Sequence, residues 1–571
     1  MRERLWEHPV HDERVVETLS RELGVAPVVA RLLYLRGLGD PDAAARFLSP
    51  DLAHLHDPLR LVDLGKAVDR LLAAIERGER IAIHGDYDVD GVTSTVMLRR
   101  VLERLGGDVV HFIPERLRDG YGLQPQAVDH LQAEGARVVV SVDCGIKSIE
   151  AARRARDLGV DLIVTDHHEP DSELPDALAV INPKRRDCSY PDKDLAGSGV
   201  ALKLTQALCT RAGRERWLPS FLKIAALGTV ADVVPLVGEN RVIAKIGLEQ
   251  LSAGPHAVGL QALLDAAGLG GRAIDSYHVA FVLAPRVNAA GRMSTPDLAT
   301  RLLLASAEHE WPLARELAER LNVENAKRQE EEATIVAEAR RRIEADPDIG
   351  AHNLLVVAGD GWHRGVIGIV ASKLVETFVK PSIVISIDGD TGHGSCRSLP
   401  SFDMLAALER CADLFDRFGG HKQAAGFSLP ASRIGDLRKR LTDHADERLS
   451  PDDLRPRLRV DARLALGDIT PEVVEGVSRL APFGMGNGRP VFSAHGVEIV
   501  TGPTRLKDRH LTMTVRQGGR LFRAVAWRAA DRLAAFEASR LGADLAFSLE
   551  RNTFQGQTTI ELNVADVRPA S

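Results

Sequence analysis

Aromatic residues are scarce in this 571-residue chain, at 4%, so few rings are available to serve either a core or a stacking surface. Cysteine is rarer still. The five cysteines (Cys144, Cys188, Cys209, Cys396 and Cys411) include no Cys-x-x-Cys pair, which argues against a disulfide framework or a structural zinc site and for a reducing compartment. No stretch approaches the roughly 18 uninterrupted apolar residues of a membrane span, and Met1-Arg-Glu-Arg-Leu-Trp-Glu lacks an apolar signal core. A soluble, cytoplasmic protein without membrane contact is expected. Positive charge is not in excess, the formal net charge being -7, so a polyanionic partner must be met by a local basic groove. There is no internal repeat.

What is present is enough apolar sequence for several cores: 44% hydrophobic against 27% charged, and at ~150 residues per domain about three or four domains. From Arg80 to Pro183 short aliphatic runs (Arg80–His84, Val109–Ile113, Arg137–Val142, Asp161–Thr165) alternate with helical periodicity. This predicts an α/β domain, a mostly parallel sheet whose ligands sit at the strands' carboxyl ends. Residues 308–348 are rich in Glu, Arg and Ala, with Leu317, Leu321, Ile335 and Ile343 at helical spacing; they read as a long, largely exposed connecting helix or helix pair. A smaller α/β stretch runs from Asn353–Ala358 through Lys380–Ser386 to Ala425–Ser428. After Leu458, short alternating segments with glycine turns predict a small barrel such as an OB-fold. The expected division is an N-terminal segment 1–45, a catalytic domain 46–270, a helical connector 271–348, a second α/β domain 349–450 and a barrel 455–571.

Four Asp/His clusters dominate the first domain: His84-Gly-Asp86-Tyr-Asp88-Val-Asp90-Gly91, Asp143, Asp166-His167-His168 and Asp232, each following an aliphatic run. The run before Asp232, Ile224–Val230, fits a strand or a buried helix end. Unpaired buried carboxylates cost several kcal/mol, so gathering them at sheet ends implies cations. The Asp-x-Asp-x-Asp-Gly string matches an EF-hand loop only in part: the twelfth position, which needs a bidentate Glu, is Met97, and a strand rather than a helix is expected before the loop. The alternative is a dinuclear strand-end site with His84 and Asp88 on one cation, Asp90 on another and Asp143 as bridge, and its mixed donors suit Mn²⁺ or Mg²⁺. Taken singly, Asp143 or Asp232 could be a helix cap; independent caps explain four clusters poorly.

These clusters resemble those of the DHH phosphoesterase family. Further segments carry the likeness across nearly the whole chain: Pro114-Glu-Arg116 with Gly120-Tyr-Gly122, Pro285-Arg286-Val-Asn288-Ala-Ala-Gly-Arg292, Gly361–Ile369, Gly419-Gly420-His421-Lys-Gln-Ala-Ala-Gly426 and Pro482–Asn487. They are similar to the family's bacterial branch that degrades single-stranded DNA from its 5′ end, with a DHH domain, a connector, a DHHA1 domain and an OB-fold. The resemblance implies two Mn²⁺ or Mg²⁺ ions, one on His84, Asp88 and Asp143, the other on Asp90, Asp143, His167 and Asp232. Asp86 and Asp166 would orient ligands, and His168 would face the scissile phosphate.

End recognition is expected in the second α/β domain. There Gly392-His-Gly-Ser395-Cys-Arg397-Ser398 and Gly419-Gly420-His421 offer an anion nest, with Arg286, Asn288 and Arg292 joining from the connector. In the barrel, Phe492, Phe522, Trp527 and Phe554 are available rings, at least half of them expected in the core, beside Arg505, Lys507 and Arg509. The resemblance implies partnership with the single-strand-binding protein and a RecQ-type helicase in recombination and repair, by a monomeric enzyme. Rival readings are a family phosphodiesterase of short oligoribonucleotides or cyclic dinucleotides, against which the barrel tells, and an inactive DNA-binding scaffold, against which the intact ligand set tells.

Overall fold

The structure, a computed structural model, describes residues 4–115, 122–554 and 557–570; Arg116, Gly120 and Tyr121 of the first motif pair lie outside them. Five parallel strands make the first sheet, in the spatial order Val109–Phe112, Arg80–Gly85, Ala136–Val142, Asp161–Thr165 and Ala179–Ile181. Their side chains alternate between two cores: Ile81, Ile83, Val138 and Val140 face one, and Ala82, Val139, Leu162 and Val164 the other. Burial of both faces is why these strands read as continuous aliphatic runs. The first strand in sequence lies between the second and third, so the winding reverses between Arg80–Gly85 and Ala136–Val142. A crevice opens at their carboxyl ends.

The aliphatic run before Asp232 is helical, Leu222–Ala231, with Asp232 at its C-cap. It is buried on nearly all sides, so neither its apolar content nor its periodicity distinguished it from a strand. Helix Trp311–Ala345 is one element of 35 residues, about 50 Å long. Ala314, Leu317, Ala318 and Leu321 anchor its first third in the core of the first α/β domain, and Ile335, Ala339 and Ile343 anchor its end against Leu355, Val357 and Trp362. Each buried aliphatic side chain contributes about 1.5–3 kcal/mol, so the helix is held at both ends. The second sheet has the order Arg417–His421, Ala424–Pro430, Thr391–Arg397, Ser382–Asp388 and Leu355–Asp360, with only the last pair parallel.

Strands Phe492–Leu506, His510–Gln517, Arg520–Ala526, Gln557–Pro569 and Ala543–Phe554 form the C-terminal barrel, closed by pairing of the first with the last. Residues near the N-terminus belong to this barrel in space. Leu5–Glu7 pairs with Arg457–Arg459, and Val16, Leu19, Val29 and Leu33 share a core with Val477, Phe492 and Leu511. Arg241 joins the units: fully buried, it donates to the carbonyls of Phe47 (2.7 Å), Leu480 (2.9 Å), Arg479 and Ala481 (both 3.0 Å). Burial pulls its pKa down to about 9. Among the described residues, no helix is long and apolar enough to cross a membrane.

Candidate metal centre and facing groove

The crevice at the sheet's switch point holds the first acidic clusters. Asp88 is the N-cap of helix Val89–Arg104, accepting from the amides of Asp90 (2.9 Å) and Gly91 (3.1 Å). Asp90, one residue into that helix, accepts from Gly197 N–H (2.6 Å) and Ser198 N–H (2.8 Å) at the start of helix Gly197–Arg211. Two helix N-termini thus converge on this pair and offset part of the cost of its charge. Asp143 follows its strand in the left-handed region, φ 60°, which turns its carboxylate toward His167. The next strained residue, Val233 at φ 64°, adjoins Asp232. Such conformations cost about 1–3 kcal/mol, more readily borne by Asp than by a β-branched side chain, and they gather at functional sites.

His167 Nε2 is the geometric hub. It lies 3.2 Å from Asp143 Oδ1, 3.6 Å from Asp232 Oδ2 and 4.0 Å from Asp90 Oδ2. The first three of these atoms are buried and make no hydrogen bond, which is costly unless something else satisfies them. Ligand atoms of Asp90, His167 and Asp232 lie within 4.8 Å of one another, as do those of Asp86, Asp88 and Asp143. A divalent cation fits the chemistry of both groups, since acceptor atoms facing one another at these spacings repel until a cation joins them. Burial first, and then the charges of Asp90, Asp88 and Asp86, push the Asp143 carboxyl well above its ordinary range. Asp232 is raised by burial and by Asp90 and Asp88; Asp88 is raised by burial and by Asp90.

The remaining residues of these clusters are placed differently. Asp166 is saturated: Oδ1 accepts from His167 N–H (2.7 Å) and His168 N–H (3.0 Å) and pairs with His168 Nδ1 (2.7 Å), while Oδ2 accepts from Ile146 N–H (2.9 Å). Burial alone would raise its pKa, but the bonds and charge of His168 outweigh this and lower it. The same pair raises the His168 pKa against the opposing effect of burial. The His168 side chain is 42% exposed, on the open side of the crevice. Asp86 accepts from Tyr87 N–H (2.8 Å). His84 Nδ1 lies 3.6 Å from Cys144 Sγ, and the ring also borders a neighbouring cavity of about 580 Å³ with Phe112 and His130.

Across from Tyr87, a groove of about 910 Å³ runs between the two α/β domains, lined by Arg292, Ser395, Arg397, Gly420 and His421 among others. Arg292 Nη1 donates to Gly365 O (2.9 Å), tying the connector to the second domain. Three other expected contacts point elsewhere. Arg286 is held by Asn322 Oδ1 (2.7 Å) and Val282 O (2.6 Å); Asn288 Oδ1 accepts from Val89 N–H (3.0 Å), bracing the Asp88–Asp90 loop; Ser398 Oγ donates to Phe402 O (2.8 Å). In the barrel, Phe492 is core and Phe522 packs against it, whereas Trp527 is 52% exposed, its ring 4.7 Å from that of His510. Arg505, Lys507 and Arg509 are exposed on the adjoining hairpin. The side chain of Phe554 lies outside the described residues.

Sequence reasoning missed the small residues that let these groups meet. A Cβ on Gly197 would stand 2.5 Å from Asp143 Oδ1; the only signal was the small-residue run Ala196-Gly-Ser-Gly199. It also missed how Asp232 is set. The loop after Asp232 docks on the barrel's 482–487 turn, where Leu236 N–H donates to Met485 O (2.8 Å). Buried Asn487 braces that turn through the carbonyls of Leu480 and Pro482 (both 2.8 Å), and Arg36 Nε donates to it (2.6 Å).

Comparison with known proteins agrees with this architecture. The DHH family N-terminal domain matches residues 80–229, the DHHA1 domain 351–447 and the RecJ OB domain 460–566. The chain is 40% identical over 515 residues to the single-stranded-DNA-specific exonuclease RecJ of Bacillus subtilis, covering 90% of this chain and 64% of that one. It is 34% identical to the protein of that name from Salmonella typhimurium, covering 97% of this chain and 98% of the relative. The crystal structure of RecJ in complex with Mn²⁺ from Thermus thermophilus superposes with a TM-score of 0.83 at 32% identity, over 99% of this chain and 80% of that one. On the shared order of sheet, connector, second sheet and barrel, and on likeness along nearly its whole length, the chain belongs to the RecJ family of single-stranded-DNA-specific exonucleases.

Proposed function

We propose that this protein is a divalent-metal-dependent exonuclease that hydrolyses phosphodiesters of single-stranded DNA from the 5′ end. The observation that carries the reading is the set of buried, unbonded acceptors around His167 Nε2, beside an arginine-lined groove between the two α/β domains. Asp88, Asp143 and His84 would hold one cation, and Asp90, Asp143, His167 and Asp232 the second. Mn²⁺ or Mg²⁺ bound there would supply the charge that activates a water and stabilises the leaving 3′-oxygen. Asp166 holds the His168 ring by Nδ1, so that His168 can bond the scissile phosphate or give a proton to the leaving oxygen. Arg397 and His421 receive the terminal phosphate, and Arg292 closes the groove from the catalytic side. Trp527 and the basic hairpin grip the strand farther from its end by stacking and backbone tracking.

Processing happens in the cytoplasm, in keeping with five free and buried cysteines, by a monomer working with the single-strand-binding protein and a RecQ-type helicase in recombination and repair. The test is digestion of matched 5′- and 3′-end-labelled single strands with Mn²⁺, with and without a chelator. Early release of the 5′ label, abolished by chelation, is expected. Early loss of the 3′ label, or activity in excess chelator, would refute the reading.

A further inference from the structure

The groove holds more positive charge than one terminal phosphate calls for. Strand register places His421, Ala424 and Arg397 in one row across the second sheet, Gly419, Gly426 and Ser395 in the next, and Arg417, Ser428 and His393 in a third. Alternate residues of a strand share a face, so all three rows look into the groove, each outer row about 6.6–6.8 Å from the middle one along the strands and about 13 Å from the other outer row. Glycines and a serine keep the middle row low. An arginine–histidine pair therefore stands on either side of a shallow floor. Arg364, from the loop before helix Ile367–Phe378, lines the same groove as Arg417 and His393.

Among the described residues, the side chains of Arg364, His393 and Arg417 have no hydrogen bond or ion pair. Burial, followed by repulsion from Arg417, lowers the Arg364 pKa. Burial, Arg364 and Arg417 lower that of His393, with Asp388 and Asp416 opposing weakly. Arg364 and Arg417 repel each other with Asp388 and Asp416 as the acidic groups in opposition, and an anion bound between the arginines relieves that repulsion. A phosphomonoester at Arg397 and His421 carries only about -1.5 to -2 charges, and Arg364 and Arg417 lie farther along the same groove.

We propose that the row of Arg417 and His393, with Arg364, is a second phosphate subsite that lets the enzyme accept strands whose 5′ end bears a di- or triphosphate. The first phosphate sits at Arg397 and His421 and the outer ones extend over the low floor toward the second row, within range of its long arginine side chains. This rests on the function proposed above and widens its substrate class. The bond chemistry is unchanged. Water adds to the phosphorus of the first internucleotide bond, the P–O3′ bond breaks, the 3′-oxygen leaves with a proton as the hydroxyl of a nucleoside di- or triphosphate, and the phosphate stays as the new 5′ end.

The test compares strands with 5′-hydroxyl, 5′-monophosphate and 5′-triphosphate ends, using the full chain with Mn²⁺. The wild-type KM for the triphosphate end should match or fall below that for the monophosphate. In the Arg417→Ala/His393→Ala variant it should rise by about 10-fold or more while the monophosphate KM moves less than about 3-fold, and Arg417→Lys should largely restore it. In chelator, inorganic tripolyphosphate should displace a fluorescent 5′-phosphorylated strand from wild type at about 10-fold lower concentration than orthophosphate, an advantage the double variant loses. The inference is overturned if wild type rejects the triphosphate end, or if the double variant weakens both phosphorylated ends alike. A wild type that degrades none of the three strands would instead sink the proposed function.

Discussion

The candidate metal centre and the facing groove are opposites in charge and in construction. The first is negative, buried and braced by backbone amides, with Asp90 alone receiving two from a helix start. The second is positive, open and built on a mixed sheet whose edge strand Arg417–His421 is exposed throughout. The difference separates two tasks. Hydrolysis needs ligand atoms fixed before substrate arrives, because misplacement of even about 1 Å costs orders of magnitude, whereas recognition of a strand end needs access and a surplus of the opposite charge.

Substitutions should divide along the same line. Asp143→Ala removes the carboxylate that reaches both ligand groups and should lower kcat by about 10³-fold or more, with little change in strand affinity measured without turnover. Arg397→Ala should act on the other side, raising KM for 5′-phosphorylated strands by about 10- to 100-fold and erasing their advantage over 5′-hydroxyl strands; kinetics on the two ends check it. Asp166→Asn weakens the hold on His167 and His168 without removing a proposed ligand, and should cost about 10- to 100-fold in activity, partly recovered by raising Mn²⁺. Asn487→Ala, in the barrel, should loosen the Asp232 loop and raise the Mn²⁺ concentration for half-activity by a few-fold, with DNA affinity retained. If it lowers DNA affinity alone, the barrel serves only the strand.

Metal should also change how stability depends on pH. Asp88, Asp143 and Asp232 are raised above the ordinary carboxyl value of 3.8, so each stabilises the metal-free fold below that value. The contribution is lost as pH rises through the elevated folded value. Cations reverse the penalty, so the Tm gain on adding Mn²⁺ should grow between about pH 5 and pH 7.5, reaching a few degrees when metal exceeds Kd about 100-fold. An equal gain at both pH values would contradict the assignment of these carboxyls.

Much of the fold was legible because its signals are local. The strand Asp161–Thr165 stands where the aliphatic run put it, and the alternating pattern after Leu458 does form a barrel of strands. The surroundings of Asp232 were not legible, since a fully buried helix and a buried strand carry the same apolar run. The docking of the N-terminal helices on a barrel more than 400 residues later was also hidden, being long-range packing of Val16, Leu19 and Val29 with no sequence marker. In the site, residue types pointed to chemistry but not to partners. Arg286 and Ser398 read as anion contacts, and in the fold Asn322 accepts from the Arg286 Nε and the Phe402 carbonyl from the Ser398 hydroxyl. The row made by Arg417 and His393 exists only through strand register.

The central claim is that chemistry and end recognition occupy separable sites, one of them built around two cations. Titration of Mn²⁺ into wild type, Asp143→Ala and Arg397→Ala, followed by electron paramagnetic resonance, tests it most directly. Two bound ions per wild-type chain, retained in Arg397→Ala and reduced in Asp143→Ala, are predicted; a wild type that binds none, or an Arg397→Ala variant that loses metal, would contradict it.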